Sequence, residues 1–281
     1  MPRALILGIG GQDGAYLARL LIARGFAVSG TTRGGDLTRL GELQIASDVR
    51  VWPDDDIGAV IAAAAPEQIF DLRGPAPSDA VDTAEATART YALIAASAGT
   101  RLLIAGAGTD MAFAGPFAAL KAAIAEIAGA ARRDGRFVIT AHLSEHESRL
   151  SQRSTAARLI AGVQAIARGT ADTLTYDAAT VHDWGWAPEY VDALASMLAV
   201  PVPVDHSVTS GGTMTEHEFA VAACSYFGVD PAVCGFALAT IAATELPVAP
   251  PVPGWRAFTV GTDLVETLCE GAAAQVRDGG A

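Results

Sequence analysis

The fold is decided near the start of the chain, where residues 4–21 read Ala-Leu-Ile-Leu-Gly-Ile-Gly-Gly-Gln-Asp-Gly-Ala-Tyr-Leu-Ala-Arg-Leu-Leu. The apolar run Ala4–Leu7 predicts a buried strand, and the stretch after the last glycine predicts a helix. Glycines at the turn between them allow a tight bend, close approach of a pyrophosphate to the backbone, and close packing of helix on strand. Either the turn is merely structural or, as we expect, it forms a dinucleotide site from Gly8, Gly11, Gln12, Asp13 and Gly14.

Short apolar runs alternate with longer helix-forming stretches over the first half of the chain. The predicted strands are Ala4–Leu7, Ala27–Thr31, Val49–Trp52, Gln68–Leu72, Arg101–Ala105 and Arg136–Thr140. The predicted helices, which are rich in Ala, Leu and Ile, include Asp13–Ala23, Asp79–Ala98 and Pro116–Arg132. This alternation predicts an α/β fold, a doubly wound parallel sheet of the Rossmann type covered by helices on both faces.

The sequence pattern changes after Ala199, where proline becomes frequent. A Pro-Val-Pro-Val stretch begins at Pro201, a helical patch follows near Glu216–Tyr226, and Pro247–Pro253 is proline-rich. We therefore expect residues 1–200 to form the dinucleotide-binding Rossmann domain and residues 201–281 a smaller C-terminal lobe. This lobe lies on the substrate side in our interpretation and is interleaved with residues 140–190.

Composition and charge exclude several classes of protein. The chain of 281 residues is 51% hydrophobic and 18% charged, so it can bury a large core. A net charge of −12 gives no attractive field for phosphate backbones, so we expect no nucleic-acid partner. Three irregularly spaced cysteines indicate a reducing compartment. The first apolar run is too short for a signal peptide or a membrane span, so we expect a cytoplasmic protein without membrane contact.

Two positions after the second and third predicted strands bear on the cofactor. The second strand ends in Thr31-Thr32-Arg33-Gly34, where an acid for a ribose 2′-hydroxyl is missing. Because Arg33 suits a 2′-phosphate, NADP is favoured over NAD. Asp54, the first of three consecutive aspartates, lies where such proteins hydrogen-bond the adenine, although a solvated turn at a helix start is an equal alternative.

Separated motifs carry a resemblance to one enzyme family. The segment Gly11–Leu17 is similar to the Gly-Gln-Asp-Gly-Ser-Tyr-Leu opening of the GDP-mannose 4,6-dehydratases. His146-Glu147-Ser148 resembles that family's His-Glu-Ser segment, and His182–Gly185 resembles its Arg-Asp-Trp-Gly run. The resemblance implies an extended short-chain dehydrogenase that binds NADP and a nucleotide sugar, most often a GDP-sugar. By analogy with related proteins we also expect a homodimer built on the Ala-rich helices Asp79–Ala98 and Pro116–Arg132.

The family's reaction is a rearrangement of the sugar. A tyrosinate removes the C4 hydroxyl proton while hydride leaves C4 for the nicotinamide, water is lost across C5 and C6, and the hydride returns to C6. This chemistry needs a phenol whose pKa is lowered by a nearby lysine, a Thr or Ser that orients the sugar, and a Glu for the C5 proton.

The catalytic pattern of that family is incomplete in this chain. Its Tyr-x-x-x-Lys motif appears as Phe117-Ala-Ala-Leu-Lys121, and phenylalanine cannot transfer a proton. Its Thr-Ser-Glu motif is matched best by Thr109 and Asp110, which follow Gly108. Lys121 is the only lysine among 19 Lys and Arg residues, which suggests a role that arginine cannot fill. We therefore predict altered or reduced catalysis, with Asp110, Thr109 or Lys121 as replacement groups, or else a catalytically silent nucleotide or nucleotide-sugar binder or partner subunit.

The resemblance also assigns residues around the cofactor and the substrate. It places Leu72 and His146 on the cofactor side, and Glu145 and Arg158 on the substrate side, with Glu145 replacing an asparagine. The loop after Leu72 departs from the family because Arg73-Gly74-Pro75-Ala76 replaces a Gln-Ser pair. The spacing His142-x-x-Glu145-His146 is also used by some zinc peptidases, but only on a helix, and here it follows a predicted strand. We therefore expect no metal.

Overall fold

The computed structural model describes residues 1–74, 82–108, 116–151, 154–233 and 249–278. Contacts group the chain into two compact units. Unit 1 comprises Met1–Leu143, Tyr190–Val208 and Ala243–Trp255, and unit 2 comprises Ser144–Glu189, Thr209–Ala242 and Arg256–Ala281. The chain therefore crosses from one unit to the other several times. Residues 144–189 belong to the unit that also holds most of the C-terminal part.

The strands and helices follow one another in a βαβ rhythm. The strands are β1 Arg3–Leu7, β2 Ala27–Thr32, β3 Arg50–Pro53, β4 Gln68–Asp71, β5 Arg101–Ala107, β6 Val138–Leu143, β7 His146–Glu147, β8 Val181–Asp183, β9 Gly185–Trp186, β10 His206–Val208 and β11 Thr213–Thr215. The α-helices are α1 Gln12–Ala23, α2 Thr38–Glu42, α3 Ile57–Ala64, α4 Thr83–Ala96, α5 Pro116–Arg133, α6 Thr155–Ala167, α7 Ala187–Met197, α8 Glu216–Phe227 and α9 Gly261–Asp278. A 3-10 turn covers Pro231–Val233.

Unit 1 is built on a seven-stranded sheet with the order β10-β6-β5-β4-β1-β2-β3. Every neighbouring pair in it is parallel. The order reverses beside β1, because β2 lies on one side of it and β4 on the other. Ligands of such sheets bind outside the carboxyl ends of the strands at this reversal. The predicted fold class is confirmed, and it places the glycine-rich turn at the expected binding edge.

The core on one face of the sheet explains why these helices form. Strand residues such as Leu5, Leu7 and Ile104 are at most 3% exposed and pack into one apolar cluster with α3, α4 and α5. The helix residues of this cluster include Val60, Ile61, Leu93, Ile94 and Ala128. Each buried apolar side chain of this size contributes roughly 1.5–3 kcal/mol. These helices therefore cover one face of the sheet, and the carboxyl ends of the strands remain available for function.

Unit 2 has a separate core formed mainly by α6, α8 and α9. Trp184 and Phe219 are fully buried in this cluster, and their ring centroids lie 4.7 Å apart. Two small sheets, β11-β8 and β7-β9, complete the unit. Helix α8 begins with a capping box in which Thr215 and Glu218 satisfy each other's backbone amides. These elements hold the side chains of residues 145, 182 and 216 in place.

Among the described residues, no helix has both the length and the apolar composition needed to cross a bilayer.

Candidate functional site

The turn between β1 and α1 has the geometry expected of a pyrophosphate-binding loop. Gly8 has a φ of +86°, a conformation that L side chains rarely adopt. The Gly11 amide donates to the Gly8 carbonyl oxygen at 3.0 Å, which closes the turn. A Cβ on Gly14 would lie 2.3 Å from that same oxygen, so only glycine fits there. Gly11 is the N-cap of α1 and makes no side-chain capping hydrogen bond, and the amino end of a helix is a favourable place for an anion.

A further glycine contributes to this turn and was not singled out from the sequence. Gly30 lies inside β2, and a Cβ there would be 2.6 Å from both the Ile6 carbonyl oxygen and the Ile9 side chain. The close approach of β2 to the loop therefore depends on this glycine. Its signal was a glycine inside an otherwise β-forming stretch, which often marks close backbone approach.

The residues predicted to bind adenosine lie at the same edge of the sheet. Asp54, just after β3, accepts a hydrogen bond from the Thr31 hydroxyl at 2.8 Å and another from the Arg73 guanidinium at 3.2 Å. Arg33 is exposed and lines a cavity together with Arg73 and the end of β4. Leu72 continues from β4, and its amide donates to the Leu7 carbonyl oxygen at 3.0 Å. The sequence therefore predicted that these residues lie at one edge of the sheet, but it did not predict the hydrogen bond from Arg73 to Asp54.

Lys121 and Phe117 lie one turn apart on α5. The Lys121 ammonium donates to the Ala105 carbonyl oxygen at 3.0 Å and lies 5.6 Å from the Phe117 ring centroid. Burial lowers the pKa of Lys121, while the charge of Asp71 partly opposes this. Phe117 is buried, with 8% of its surface exposed. It stands at the tyrosine position of the family motif, and its ring has no proton to transfer. Thr109 and Asp110 lie outside the described residues.

The predicted substrate-side residues meet in a charged cluster of unit 2. One His182 ring nitrogen lies 2.6 Å from a Glu145 carboxylate oxygen, and the other lies 3.4 Å from Glu216. The imidazole also stacks on Trp184, with the ring centroids 4.3 Å apart. Arg158 completes the cluster at 3.4 Å from Glu216. Glu216 was not identified from the sequence, because its contacts come from residues 34 and 58 positions away.

The charge of His182 follows from these contacts. Burial alone lowers the pKa of His182, but the hydrogen bonds and charges of Glu145 and Glu216 outweigh it and raise the pKa from 6.5 to about 9. The imidazole is therefore protonated at neutral pH. The cluster of two glutamates, one histidine and Arg158 is then balanced in charge.

His146 is held locally in unit 2. Its Nδ1 lies 2.6 Å from the Ser144 carbonyl oxygen. His142 lies at the end of β6 and His146 begins β7, so the two histidines do not share a helix face. Among the described residues, no group of three or more His, Cys, Asp and Glu side chains is placed to hold a metal ion.

The raised pKa of His182 predicts that stability depends on pH. Its contribution is complete below pH 6.5, where the unfolded histidine is also protonated, and is lost as pH rises towards 9. A shift of this size corresponds to about 3 kcal/mol. Burial raises the pKa of Glu147 from 4.5 to about 7. Stability is therefore also expected to fall as pH rises from 4.5 to about 7. We expect His182→Gln to flatten the fall in melting temperature between pH 6.5 and 9.5, and an unchanged slope would contradict this assignment.

Solved structures of nucleotide-sugar enzymes share this fold along nearly the whole chain. A dTDP-glucose 4,6-dehydratase from Bacillus anthracis, in complex with NAD, superposes with a TM-score of 0.81 at 13% identity over 99% of this chain and 98% of that one. A Thermus thermophilus UDP-glucose 4-epimerase with NAD gives 0.76 at 18% identity, covering 96% and 99%. A Bacillus cereus UDP-glucuronic acid 4-epimerase gives 0.79 at 12% identity, covering 97% and 99%. This last structure has one tyrosine replaced by phenylalanine and contains NAD and UDP-4-deoxy-4-fluoro-glucuronic acid.

The parallel sheet and the glycine turn define the class: the chain has the Rossmann-type fold of the extended short-chain dehydrogenases. Within it, residues 108–243 match the family model of GDP-mannose 4,6 dehydratase. The match covers just under half of the chain and includes Phe117, Lys121, His146, Arg158 and His182. It confirms the family resemblance drawn from the sequence over that segment.

Proposed function

We propose that unit 1 binds NADP at the turn between β1 and α1. The observation that carries this proposal is the glycine turn, where Gly8 and Gly14 bring the backbone close to an anion and the first turn of α1 faces it. These residues fit a pyrophosphate. A bound nicotinamide would supply a reversible acceptor for hydride, and the chain's own residues would bind and orient it. The NAD held by the similar dehydratase and epimerase structures supports a dinucleotide at this site.

We propose a nucleotide sugar as the second ligand, and a GDP-sugar as the first to test. The family model of GDP-mannose 4,6 dehydratase covers the segment that holds Arg158, Glu145 and His182. In unit 2 these three residues belong to one partly buried cluster with Glu216. A protonated His182 replaces the arginine of the family motif and keeps a positive charge there. Its two carboxylate neighbours are expected to weaken its attraction for a diphosphate.

Catalysis is reduced or altered in this proposal because of Phe117. The ring occupies the position of the motif's tyrosine, and the Lys121 ammonium is directed at the Ala105 carbonyl oxygen. No phenol is therefore available at this position to take the C4 hydroxyl proton. The alternative, a catalytically silent nucleotide-sugar binder, is also based on the presence of Phe117 at this position. The Bacillus cereus epimerase variant, which contains NAD and a UDP-sugar analogue with one tyrosine replaced by phenylalanine, supports ligand binding in this fold without that tyrosine.

The preference for NADP over NAD is tested by changing Arg33. Its exposed guanidinium follows β2, where a 2′-phosphate on the adenosine ribose would lie. A charge-assisted hydrogen bond to a phosphate contributes about 1.5–3 kcal/mol, so Arg33→Asp should weaken NADP binding roughly tenfold or more and favour NAD. Calorimetric titration of the native chain and of Arg33→Asp, each with NADP and with NAD, measures these affinities. Arg24→Ala is the control and should change neither affinity, because Arg24 pairs with Asp192 at the end of α1 away from the glycine turn. Equal affinities of the native chain for NADP and NAD would contradict the assignment.

We also propose a homodimer formed through α4 and α5. Both helices are rich in alanine, which permits close packing between helices. Tyr91 on α4 is 62% exposed and gives this surface an apolar aromatic side chain. We expect light scattering to give the mass of a dimer at micromolar concentration, and a monomer mass would contradict the proposal.

A cytoplasmic location is part of the same proposal. Three irregularly spaced cysteines are typical of a protein kept in a reducing compartment. Cys224 and Cys269 are buried, and Cys234 lies outside the described residues.

A further inference from the structure

Arg73 pairs with two acidic residues at the carboxyl ends of β4 and β3, two strands that are not neighbours in the sheet. Its Nε and one terminal nitrogen donate to the two oxygens of Asp71, at 2.8 and 3.0 Å. The other terminal nitrogen lies 3.2 and 3.3 Å from the two oxygens of Asp54. The side chains of Arg73, Asp54 and Asp71 are only 13%, 4% and 8% exposed. Although burial alone lowers the pKa of Arg73, the two carboxylates outweigh it and raise the pKa, so the guanidinium stays charged.

The strand order shows where this side chain runs. Arg73 follows β4, whereas Asp54 follows β3 and is hydrogen-bonded to Thr31 of β2. Strand β1 lies between β4 and β2, so the Arg73 side chain must cross the carboxyl end of β1 to reach Asp54. Its own amide nitrogen lies 3.4 Å from the point where a Cβ on Gly8 would be. The guanidinium therefore spans the edge that the glycine turn leaves open.

A dinucleotide on that turn needs the same space. Its pyrophosphate lies at the amino end of α1, and its adenosine ribose lies at the carboxyl end of β2. The adenosine half therefore passes from Gly8 towards Thr31 and Asp54, along the path taken by Arg73. Asp54 already accepts from Thr31 and Arg73, so an adenine amino group has to displace the guanidinium to reach it.

We infer that Arg73 sets the affinity of this chain for adenine dinucleotides, because it occupies the adenosine half of the crevice and must move aside when the cofactor binds. This inference rests on the proposed dinucleotide site. The glycine turn supplies the pyrophosphate contacts, and Arg73 competes with the adenosine. Because the ion pairs with Asp54 and Asp71 are broken on binding, the native chain binds the dinucleotide weakly for a turn of this geometry.

The test compares NADPH affinity by fluorescence titration in the native chain and in variants of Arg73. Arg73→Ala opens the crevice but leaves two nearby buried carboxylates without their cation, and breaking such a network can unfold a protein. The double variant Arg73→Ala/Asp71→Asn removes one positive and one negative charge and leaves Asp54 available to the adenine. Arg3→Ala is the matched control, because Arg3 pairs with Glu67 at the amino end of β1, away from the glycine turn. A melting curve for each variant confirms that it is folded.

We expect the dissociation constant for NADPH to fall at least tenfold in Arg73→Ala or in the double variant, and to change little in Arg3→Ala. A tenfold change corresponds to 1.4 kcal/mol. Unchanged or weaker binding in folded Arg73 variants would overturn the inference, since Arg73 would then be neutral towards the cofactor or hold it directly. If neither the native chain nor any folded variant binds NADPH, the dinucleotide site itself is wrong and the inference fails with it.

Discussion

The native chain is expected to form little or no 4-keto-6-deoxy sugar from GDP-mannose with NADP, and Phe117→Tyr is expected to give at most partial activity. A positioned general base or acid contributes about 10²–10⁴-fold to the rate of such a step, and the Phe117 ring cannot act as one. A tyrosine here would add a hydroxyl to a ring whose centroid already lies 5.6 Å from the Lys121 ammonium. We expect partial activity only, because Thr109 and Asp110 match the family's Thr-Ser-Glu motif incompletely.

The assay follows product formation by the native chain, Phe117→Tyr and Phe117→Leu. Phe117→Leu is the matched control, because it changes the side chain at the same position without adding a hydroxyl. Robust turnover by the native chain would show that another residue has taken over proton transfer, and it would end the silent-binder interpretation. If Phe117→Tyr stays inactive while binding NADP normally, the silent binder is favoured.

The second large effect concerns the stability of unit 1. A Cβ on Gly14 would lie 2.3 Å from the Gly8 carbonyl oxygen and 2.7 Å from the Ile9 Cα, and both are backbone atoms that cannot move without opening the turn. Overpacking typically costs about 1–3 kcal/mol and occasionally more, and we place Gly14→Ala at about 3 kcal/mol or above. Gly41→Ala is the control, since a Cβ there meets nothing within 4 Å and the residue lies in α2.

Urea denaturation of both variants measures the difference. Gly41→Ala should change the free energy of unfolding by less than about 1 kcal/mol, in the stabilising direction. If Gly14→Ala were as stable as the native chain, the close packing of α1 on the turn would be contradicted.

The regular part of the fold follows directly from local sequence patterns. Strand β1 and helix α1 were predicted to within a residue or two, because an apolar run, three spaced glycines and an Ala- and Leu-rich stretch are all local signals. The first six strands were also predicted from short apolar runs. The change in sequence pattern after Ala199 was a weaker guide to the fold, because β10, which comprises residues 206–208, belongs to the sheet of unit 1.

The contacts that decide the chemistry depend on residues far apart in the chain. The sequence showed that Arg73 departs from the family, but only the sheet order brings Arg73 to Asp54, 19 residues away. Likewise, His182 and Glu145 were noticed separately, and their 37-residue separation hid the hydrogen bond between them. Side-chain partners of this kind follow from tertiary structure, so local motifs alone could not predict them.

Backbone hydrogen exchange shows whether a nicotinamide dinucleotide binds at the turn between β1 and α1. Exchange is measured in the native chain and in Arg73→Ala, each with and without saturating NADPH. We predict that NADPH slows exchange of the amides from Gly11 to Ala15 and around Leu72 in unit 1, with the larger effect in the variant. Protection confined to unit 2, or no protection in either protein, would contradict the account.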